Sequence, residues 1–560
     1  MSSVYRRWSL ALLVTSVLLF FFIALDSMLA DSPTMDEQNH IARGLAFLGS
    51  GDPRFSVEHP PLVNLLSALP VFGLTDVQIP YNHPSWSHPE GWYSFAEELL
   101  WIRNRELVDQ IIFLGRLPVV FMTLGLALIG YRLSKLLWGS AGAMLVLFLL
   151  LFDPNILAHG RYSTTDVGGA LFMLASLVTV WHLFRYRAWP WTRLIAAGLA
   201  IGLALSSKMS NLVFVPGFAL LACLPLYGGW SVSTVASRLG KLALSGAMAA
   251  LVLWATYGFD VGPLQFQSPN LAQFNGIVAP MPPYWFGIEQ IARISGGGRA
   301  AFLLGQFSAD GFWYYFPVAF VAKTPLVSLI GFGVVVALLT IRQSLRRRAL
   351  FLLLPAVLYF VVSMQSGLNI GYRHILPTLV LLYVAAGSLL TSSLQTGPRR
   401  SAPSVLAVFW AVVLLSGTML LHPHYLSQFN LLVGGPANGQ NVLIDSNIDW
   451  GQDLIRLSDW MGHNDVERLN LSWFGTADPG YYGVDYTPLP GLPRHFELWW
   501  DVPFDPEQPA PGVYAISVSN LWELPLEDKR VFPWFRAREA DDRVGYSILI
   551  YRVNDRAGTD

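Results

Sequence analysis

Acidic side chains stand at two places where the chain enters or leaves a long apolar segment. Asp36 and Glu37 lie a few residues after the first of these segments, in DSPTMDEQNHIARG. Asp166 opens a later one and follows Arg161 in HGRYSTTDVGG. Ionisable groups at the mouth of a membrane span commonly bind charged substrates or relay protons, because placing a charge near lipid costs free energy. These four residues are therefore candidates for a functional site.

A purely structural interpretation competes with the functional one at both places. Thr34 followed three residues later by Glu37 fits a capping box, and acidic side chains are favoured in the first turn of a helix. Asp166 fits the N-cap position of the segment that it opens. Both interpretations stay open for Glu37 and for Asp166.

Two further loop motifs contain charged or titratable residues. Glu58 and His59 lie in EHPPL, where two consecutive prolines remove backbone donors and stiffen the chain. Arg373 and His374 lie in SGLNIGYRHILP, directly before another apolar segment. Arg373 fits a ligand for an anion, and it fits equally well a side chain that extends toward lipid phosphates.

The composition indicates the kind of protein that positions these residues. Hydrophobic residues make up 53% of the 560 residues and charged residues 13%, against about 25% charged residues in soluble domains. A bilayer core needs about 20 apolar residues as a helix. Eleven segments approach this length, near 8–30, 111–131, 139–157, 166–184, 194–207, 210–228, 241–257, 318–341, 349–364, 375–393 and 403–421.

The distribution of positive charge predicts the orientation of these eleven segments. With this count, all basic clusters fall on the side of the N-terminus, which the positive-inside rule makes cytoplasmic. The clusters are Arg6/Arg7, Arg132/Lys135, Arg185/Arg187/Arg193, Arg238/Lys241, Arg342/Arg346/Arg347/Arg348 and Arg399/Arg400. We therefore expect a multi-pass protein of the plasma (inner) membrane. The net charge of −1 predicts no nucleic-acid partner.

The chain divides into a membrane part, residues 1–421, and a C-terminal part, residues 422–560. Both long outer loops, 31–110 and 258–317, belong to the first part, and apolar patterns in loop 31–110 predict helices along the membrane surface. In the second part, residues 441–461 predict a strand, a turn and a helix, and RLNLSWFG, GVYAISVSN and YSILIYRV predict strands. We expect a small extracytoplasmic α/β domain.

Three of these motifs together resemble a group of membrane glycosyltransferases of the GT-C class. The group contains the protein O-mannosyltransferases and the aminoarabinose transferases, and it corresponds to glycosyltransferase family 39. Its members have an Asp-Glu pair after the first span, a Pro-Pro-Leu corner and an Arg…Asp motif before the fourth span. These are similar here to Asp36/Glu37, His59–Leu62 and Arg161 with Asp166. GLALSSKMS resembles a further family segment, which assigns the family lysine to Lys208.

The resemblance implies a GT-C fold and a transferase that takes a sugar from a polyprenyl-phosphate donor. Loss of the acceptor proton calls for a positioned carboxylate, for which Asp36 is the first candidate, with Glu37 and Asp166 as alternatives. Positively charged side chains that donate hydrogen bonds can stabilise the departing phosphate. The candidate donor-binding residues are Glu58, His59, Arg161, Lys208, Arg373 and His374.

The sequence leaves several partners open. The acceptor is a protein, a lipid or a glycan, and no cofactor is certain. A divalent metal remains open because the histidines on the outer side show no ligand spacing. A transporter or flippase of lipid-linked sugars is the alternative function, although such proteins usually place ionisable groups at mid-membrane and often contain repeated halves.

Overall fold

The computed structural model describes residues 3–186, 188–225, 230–391, 402–491, 503–522 and 530–554. Arg187, Arg399 and Arg400, which belong to the predicted basic clusters, lie outside these ranges. The α-helices of the membrane part are α1 Ser3–Leu29, α2 Glu37–Ser50, α3 Pro61–Leu74, α4 Trp92–Glu97, α5 Val108–Trp138, α6 Ser140–Phe152, α7 Pro154–His159, α8 Thr165–Arg185, α9 Trp191–Ser207, α10 Phe214–Cys223, α11 Val232–Thr256, α12 Pro282–Gly297, α13 Tyr315–Lys323, α14 Leu326–Ile341, α15 Gln343–Met364, α16 Leu376–Ala386 and α17 Ala402–Leu421.

The predicted apolar segments all form helices, as a chain in lipid must satisfy its own backbone hydrogen bonds. In the described ranges, seven helices are long and apolar enough to cross a membrane, and eight if α13 and α14, bent by 111°, form one span. The other three predicted segments are shorter apolar helices: α6, α9 and Met209–Cys223. The prediction of an α-helical polytopic membrane protein is confirmed, with fewer full-length spans than the eleven expected.

The helices of residues 31–110 pack into the protein. All residues of α2 from Glu37 to Phe47 are buried, and its polar side chains find partners there. For example, Trp101 Nε1 donates to Gln38 Oε1 at 2.7 Å. Helix α3 crosses α2 so closely that a Cβ on Gly44 would lie 2.1 Å from the carbonyl oxygen of Asn64. The amphipathic pattern of α2 therefore reflects packing against protein rather than against a membrane surface.

Short strands complete the structure. The loop 258–317 contains two hairpins, β1 Val261–Pro263 with β2 Val278–Pro280, and β3 Ala301–Leu303 with β4 Gln306–Ser308. The C-terminal part contains β5 Leu469–Ser472, β6 Tyr486–Pro488, β7 Gly512–Ser517, β8 Asp542–Val544, β9 Ile548–Val553 and helices α18 Leu454–His463, α19 Val518–Leu521 and α20 Pro533–Arg536. These five strands form one sheet in the order β6-β5-β7-β9-β8.

The sheet confirms the predicted strands at β5, β7 and β9. Strand β7 is parallel to β5 and antiparallel to β9. The strand predicted at the start of residues 441–461 is wrong, because 3₁₀ turns occupy Pro436–Asn441 and Asp445–Asn447. Leu443 and Ile448 are buried in the same hydrophobic core as the membrane helices. A turn whose apolar side chains are all buried has the same short apolar run as a buried strand, so the sequence could not distinguish the two.

Candidate active site

Four charged side chains from four separate parts of the chain meet in one cluster. Asp36 accepts a hydrogen bond from Arg373 at 2.8 Å. Asp166 accepts one from Lys208 Nζ at 2.5 Å, and its second oxygen lies 3.8 Å from Arg373 Nη1. We call Asp36, Asp166, Lys208 and Arg373 the charge cluster. All four were candidate residues from the sequence, although they are separated by up to several hundred positions.

Each member of the charge cluster stands at the end of a helix. Asp36 precedes α2 and occupies its N-cap position, but its side chain makes no capping hydrogen bond. Lys208 follows α9, and Arg373 lies in a 3₁₀ turn before α16. Helix α8 lies so close to Lys208 that a Cβ on Gly169 would be 3.0 Å from the Cβ of Lys208. The four charged residues are therefore positioned by the ends of rigid helices.

The exposure of the two carboxylates differs. The Asp36 side chain is 31% exposed, whereas that of Asp166 is 4% exposed. The N-cap interpretation of Asp166 is wrong, because Thr164 takes the N-cap position of α8. The Thr164 hydroxyl instead donates to Asp166 at 3.1 Å. Asp36 is therefore the accessible carboxylate of the cluster, and Asp166 is the enclosed one.

Neutral histidines surround the cluster. His40 hydrogen-bonds Asn64 at 2.9 Å, and its ring packs edge-on against His59 with centroids 4.7 Å apart. Burial lowers the pKa of His40 to about 4 and that of His59 well below its usual value, because desolvation disfavours the charged imidazole. Both rings are therefore uncharged at neutral pH.

Two other imidazoles have a ring nitrogen without a hydrogen-bond partner. These atoms are Nδ1 of His159 and Nε2 of His374, and both are buried. Burial lowers the pKa of His159 to about 3. His159 was not among the predicted site residues, although it is the first residue of the HGRYSTTDVGG motif. Both histidines contribute to the electrostatic environment of Asp166, so they lie near the charge cluster.

Glu37 lies outside the cluster, in a buried ion pair. Its carboxylate accepts two hydrogen bonds from Arg116, at 2.8 and 2.7 Å, and one from the backbone amide of Ser163 at 2.8 Å. It also accepts one from the amide of Thr34 at 2.8 Å, which is one of the two bonds of the predicted capping box, although Asp36 rather than Thr34 occupies the N-cap position. The side chain is 0% exposed, so its contacts are those of a structural residue. Arg116 was missed, although an arginine in an apolar run is itself a signal.

Arg161 forms another buried ion pair. Its guanidinium lies 2.8 Å from Asp31, which also lies 2.8 Å from Arg456 of the C-terminal part. Burial alone would raise the pKa of Asp31, but the Arg161 and Arg456 guanidiniums hold it below its usual value. The structure thus pairs Arg161 with a residue that sequence analysis missed, and the second ion pair of Asp31, with Arg456, joins the two parts of the protein.

Glu58 is paired as well. It accepts a hydrogen bond from Arg43 at 3.1 Å, and the Arg43 guanidinium lies 4.0 Å from the ring centroid of Trp92. His59, the next residue, lies 3.3 Å from the Thr165 hydroxyl, at the start of α8. The proline corner therefore brings His59 to the same helix end as Asp166, and Glu58 anchors the corner.

A comparison of the sequence with family models gives one match. The model for dolichyl-phosphate-mannose-protein mannosyltransferase matches residues 53–257. The resemblance to these membrane glycosyltransferases is confirmed. The range that matches the mannosyltransferase family contains Glu58, His59, Arg161, Asp166 and Lys208. Asp36 and Arg373, the other two members of the charge cluster, lie outside it.

Comparison with solved structures finds matches at low sequence identity. ArnT from Cupriavidus metallidurans, crystallised with undecaprenyl phosphate, is 14% identical with a TM-score of 0.45, over 98% of this chain and 99% of that chain. The apo oligosaccharyltransferase from Archaeoglobus fulgidus is 13% identical with a TM-score of 0.41, over 83% of this chain and 59% of that chain. No curated protein matches the sequence. Within the described ranges, no group of three or more His, Cys, Asp or Glu residues could hold a metal ion.

Proposed function

We propose that the protein transfers a sugar from a polyprenyl-phosphate carrier to an acceptor at the outer face of the membrane. The charge cluster is the observation that supports this most directly. It combines two cations, which can bind a phosphate, with one partly exposed carboxylate, which can accept a proton. A transporter also needs a site that binds its cargo, but a sugar transferase needs in addition a base close to the phosphate, and Asp36 fits this role.

Lys208 and Arg373 are the proposed ligands of the donor phosphate. Charge-assisted hydrogen bonds from these groups stabilise the phosphate as it departs and gains negative charge. Asp166 lies within 3.8 Å of both cations, and this arrangement suits a residue that holds them in place. His374 and His159 have unpartnered ring nitrogens nearby, which makes them suitable for hydrogen bonds to the bound donor.

Asp36 is the proposed general base. The acceptor hydroxyl attacks the anomeric carbon, the bond between this carbon and the phosphate oxygen breaks, and the phosphate leaves with the bonding electrons. The acceptor proton passes to Asp36. Before the donor binds, Asp36 is paired with Arg373 at 2.8 Å. A donor phosphate competes for the same guanidinium, so its binding frees Asp36 to accept the proton.

The other predicted site residues take supporting roles in this proposal. Glu37, Glu58 and Arg161 are committed to ion pairs with Arg116, Arg43 and Asp31. They are therefore proposed to hold the loops that carry the charge cluster rather than to contact the donor. His59 remains a donor-binding candidate because it lies at the start of α8, beside Asp166.

The direct test uses purified protein and a panel of polyprenyl-phosphate sugars. We expect one of them to be consumed, with release of polyprenyl phosphate and formation of a glycosylated acceptor. Boiled protein is the control for spontaneous hydrolysis. If no donor is consumed while a labelled donor crosses the bilayer of vesicles that contain the protein, the transporter alternative replaces this proposal.

Lys208→Ala is expected to weaken donor binding by roughly 1.5 to 3 kcal/mol, the usual scale of a charge-assisted hydrogen bond. Binding of polyprenyl phosphate to the purified variant measures this loss. Lys208→Arg keeps the charge and should recover part of the affinity, and exposed Lys135 provides the matched control, Lys135→Ala. Wild-type affinity in Lys208→Ala would exclude Lys208 as a phosphate ligand.

The proposed orientation places the N-terminus in the cytoplasm and the C-terminal part outside it, as the basic clusters predict. A reporter that works only in the cytoplasm, fused after residue 560, is expected to be inactive. The same reporter inserted at Arg342, between α14 and α15, serves as the positive control. An active C-terminal fusion would contradict this orientation and place the charge cluster on the cytoplasmic side.

A further inference from the structure

The segment Asp445–Asp453, with the sequence DSNIDWGQD, is buried although it contains three aspartates. It follows the last membrane helix by more than twenty residues and leads into α18 of the C-terminal part. We call it the 445–453 segment. Nothing in the proposed reaction explains why so polar a stretch lies in the interior.

The side chain of Trp450 in this segment lies against Arg373. The guanidinium carbon of Arg373 is 4.2 Å from the ring centroid of Trp450, well within the distance for a cation–π interaction. The Trp450 ring is almost fully buried. It also packs against His159, with centroids 5.9 Å apart. One face of the phosphate-binding arginine is therefore covered by a residue of the C-terminal part.

The backbone of the same segment holds the residues before Asp36. Met35 donates its amide to the Trp450 carbonyl at 2.8 Å, and Ser32 donates its amide to Gln452 at 3.1 Å. The Ser32 hydroxyl donates to the Gly451 carbonyl at 2.8 Å. Gly451 has φ of +90°, a conformation that a residue with a side chain rarely adopts.

The other end of the segment holds the residues before Arg373. Asn447 accepts a hydrogen bond from the amide of Tyr372 at 2.9 Å. The Ser446 hydroxyl donates to the carbonyl of Ile370 at 2.5 Å. Buried polar groups must be hydrogen-bonded to avoid a large desolvation cost. The polar residues of the segment thus satisfy the backbone on both sides of the charge cluster.

We infer that the 445–453 segment is a positioning element for the Asp36–Arg373 pair, and that Trp450 is its principal positioning residue. The segment fixes the chain before Asp36, fixes the chain before Arg373 and stacks on the Arg373 side chain. The C-terminal part is then a component of the catalytic unit rather than a separate binding module. The expected effect of the 445–453 segment on donor binding rests on the proposed function. Its expected effect on the conformation of Asp36 and Arg373 does not.

The test compares Trp450→Leu, Trp450→Phe and Phe535→Leu in the full-length protein. Leucine keeps an apolar side chain but removes the aromatic face, whereas phenylalanine retains one. Phe535 is buried in the C-terminal part and packs against Tyr514 and Tyr551, so its variant controls for general destabilisation of that part.

The first measurement is amide hydrogen exchange without any lipid. We expect faster exchange in 30–40 and 370–376 in Trp450→Leu, a smaller change in Trp450→Phe, and unchanged exchange of these two regions in Phe535→Leu. Equal acceleration in Trp450→Leu and Phe535→Leu would show only general destabilisation and would overturn the inference.

The second measurement is the affinity for polyprenyl phosphate. Loss of the cation–π contact should weaken binding about threefold to thirtyfold in Trp450→Leu, and the same substitution should have no further effect in an Arg373→Ala background. An equal loss in both backgrounds would show that Trp450 does not act through Arg373. Failure of the wild-type protein to bind the lipid would contradict the proposed function alone, because hydrogen exchange still tests the positioning.

Discussion

Asp36→Asn is expected to lower the rate of sugar transfer by about a hundredfold or more while donor binding persists, since general-base catalysis contributes about 10² to 10⁴. Asparagine retains the size of the side chain but cannot accept the acceptor proton. Because the Asp36 side chain makes no capping hydrogen bond, folding should be little affected. The transfer rate and donor affinity of the same purified variant are the measurements.

The exposed residue Asp76, which also lies between α1 and α5, provides the matched control. Asp76→Asn should retain the transfer rate of the wild-type protein, and thermal unfolding of both variants reports on folding. A stable Asp36→Asn protein with nearly normal transfer would remove Asp36 from the mechanism. Asp166 would then become the remaining carboxylate of the charge cluster to examine as the base.

Glu37→Ala is expected to reduce the free energy of unfolding by about 3 to 5 kcal/mol, because it leaves the Arg116 guanidinium buried without its carboxylate. The pair is almost completely enclosed, with side-chain exposures of 0% for Glu37 and 3% for Arg116. The backbone carbonyls of Met28, Asp31 and Ser32 still accept from Arg116 but do not balance its charge. Denaturant unfolding in detergent measures the loss.

Two further variants separate the charge effect from other causes. Glu106→Ala removes an exposed glutamate from the same outer region and should change stability little. The double variant Glu37→Ala/Arg116→Leu should be more stable than Glu37→Ala, since it leaves no uncompensated charge in the interior. A double variant less stable than the single one would show that other contacts of Arg116 dominate.

The membrane architecture follows from local patterns, and the sequence therefore predicts it well. Apolar segments that form helices in lipid do so largely by themselves, which is why each predicted segment corresponds to a helix. The helix ends that carry Asp36 and Asp166 were located by the same patterns. Lys208 was identified through the family resemblance. Arg373 was identified because it lies on the predicted outer side of the membrane, where the other long stretches contain no basic cluster.

The errors and omissions concern contacts between distant parts of the chain. The capping interpretation of Asp166 failed because Thr164 occupies the N-cap position, and the Asp166 carboxylate accepts a hydrogen bond from Lys208 instead. Arg161 was predicted as a donor ligand, but it pairs with Asp31, which opens the DSPTMDEQNHIARG motif and was not singled out. The apolar start of residues 441–461 was predicted as a strand, but 3₁₀ turns flank it instead. Partners that meet only through tertiary packing leave no periodic signal in the sequence.

The hydrogen bond between the Ser32 hydroxyl and the Gly451 carbonyl joins residues 419 positions apart, and this separation has a consequence for biosynthesis. At roughly 5 to 20 residues per second, the ribosome needs about twenty to eighty seconds to add the residues between them. During that interval the N-terminal half is already in the membrane, but the loop that carries Asp36 lacks the contacts that fix it. Under the proposed function, we therefore expect a chain that ends before the 445–453 segment to transfer no sugar.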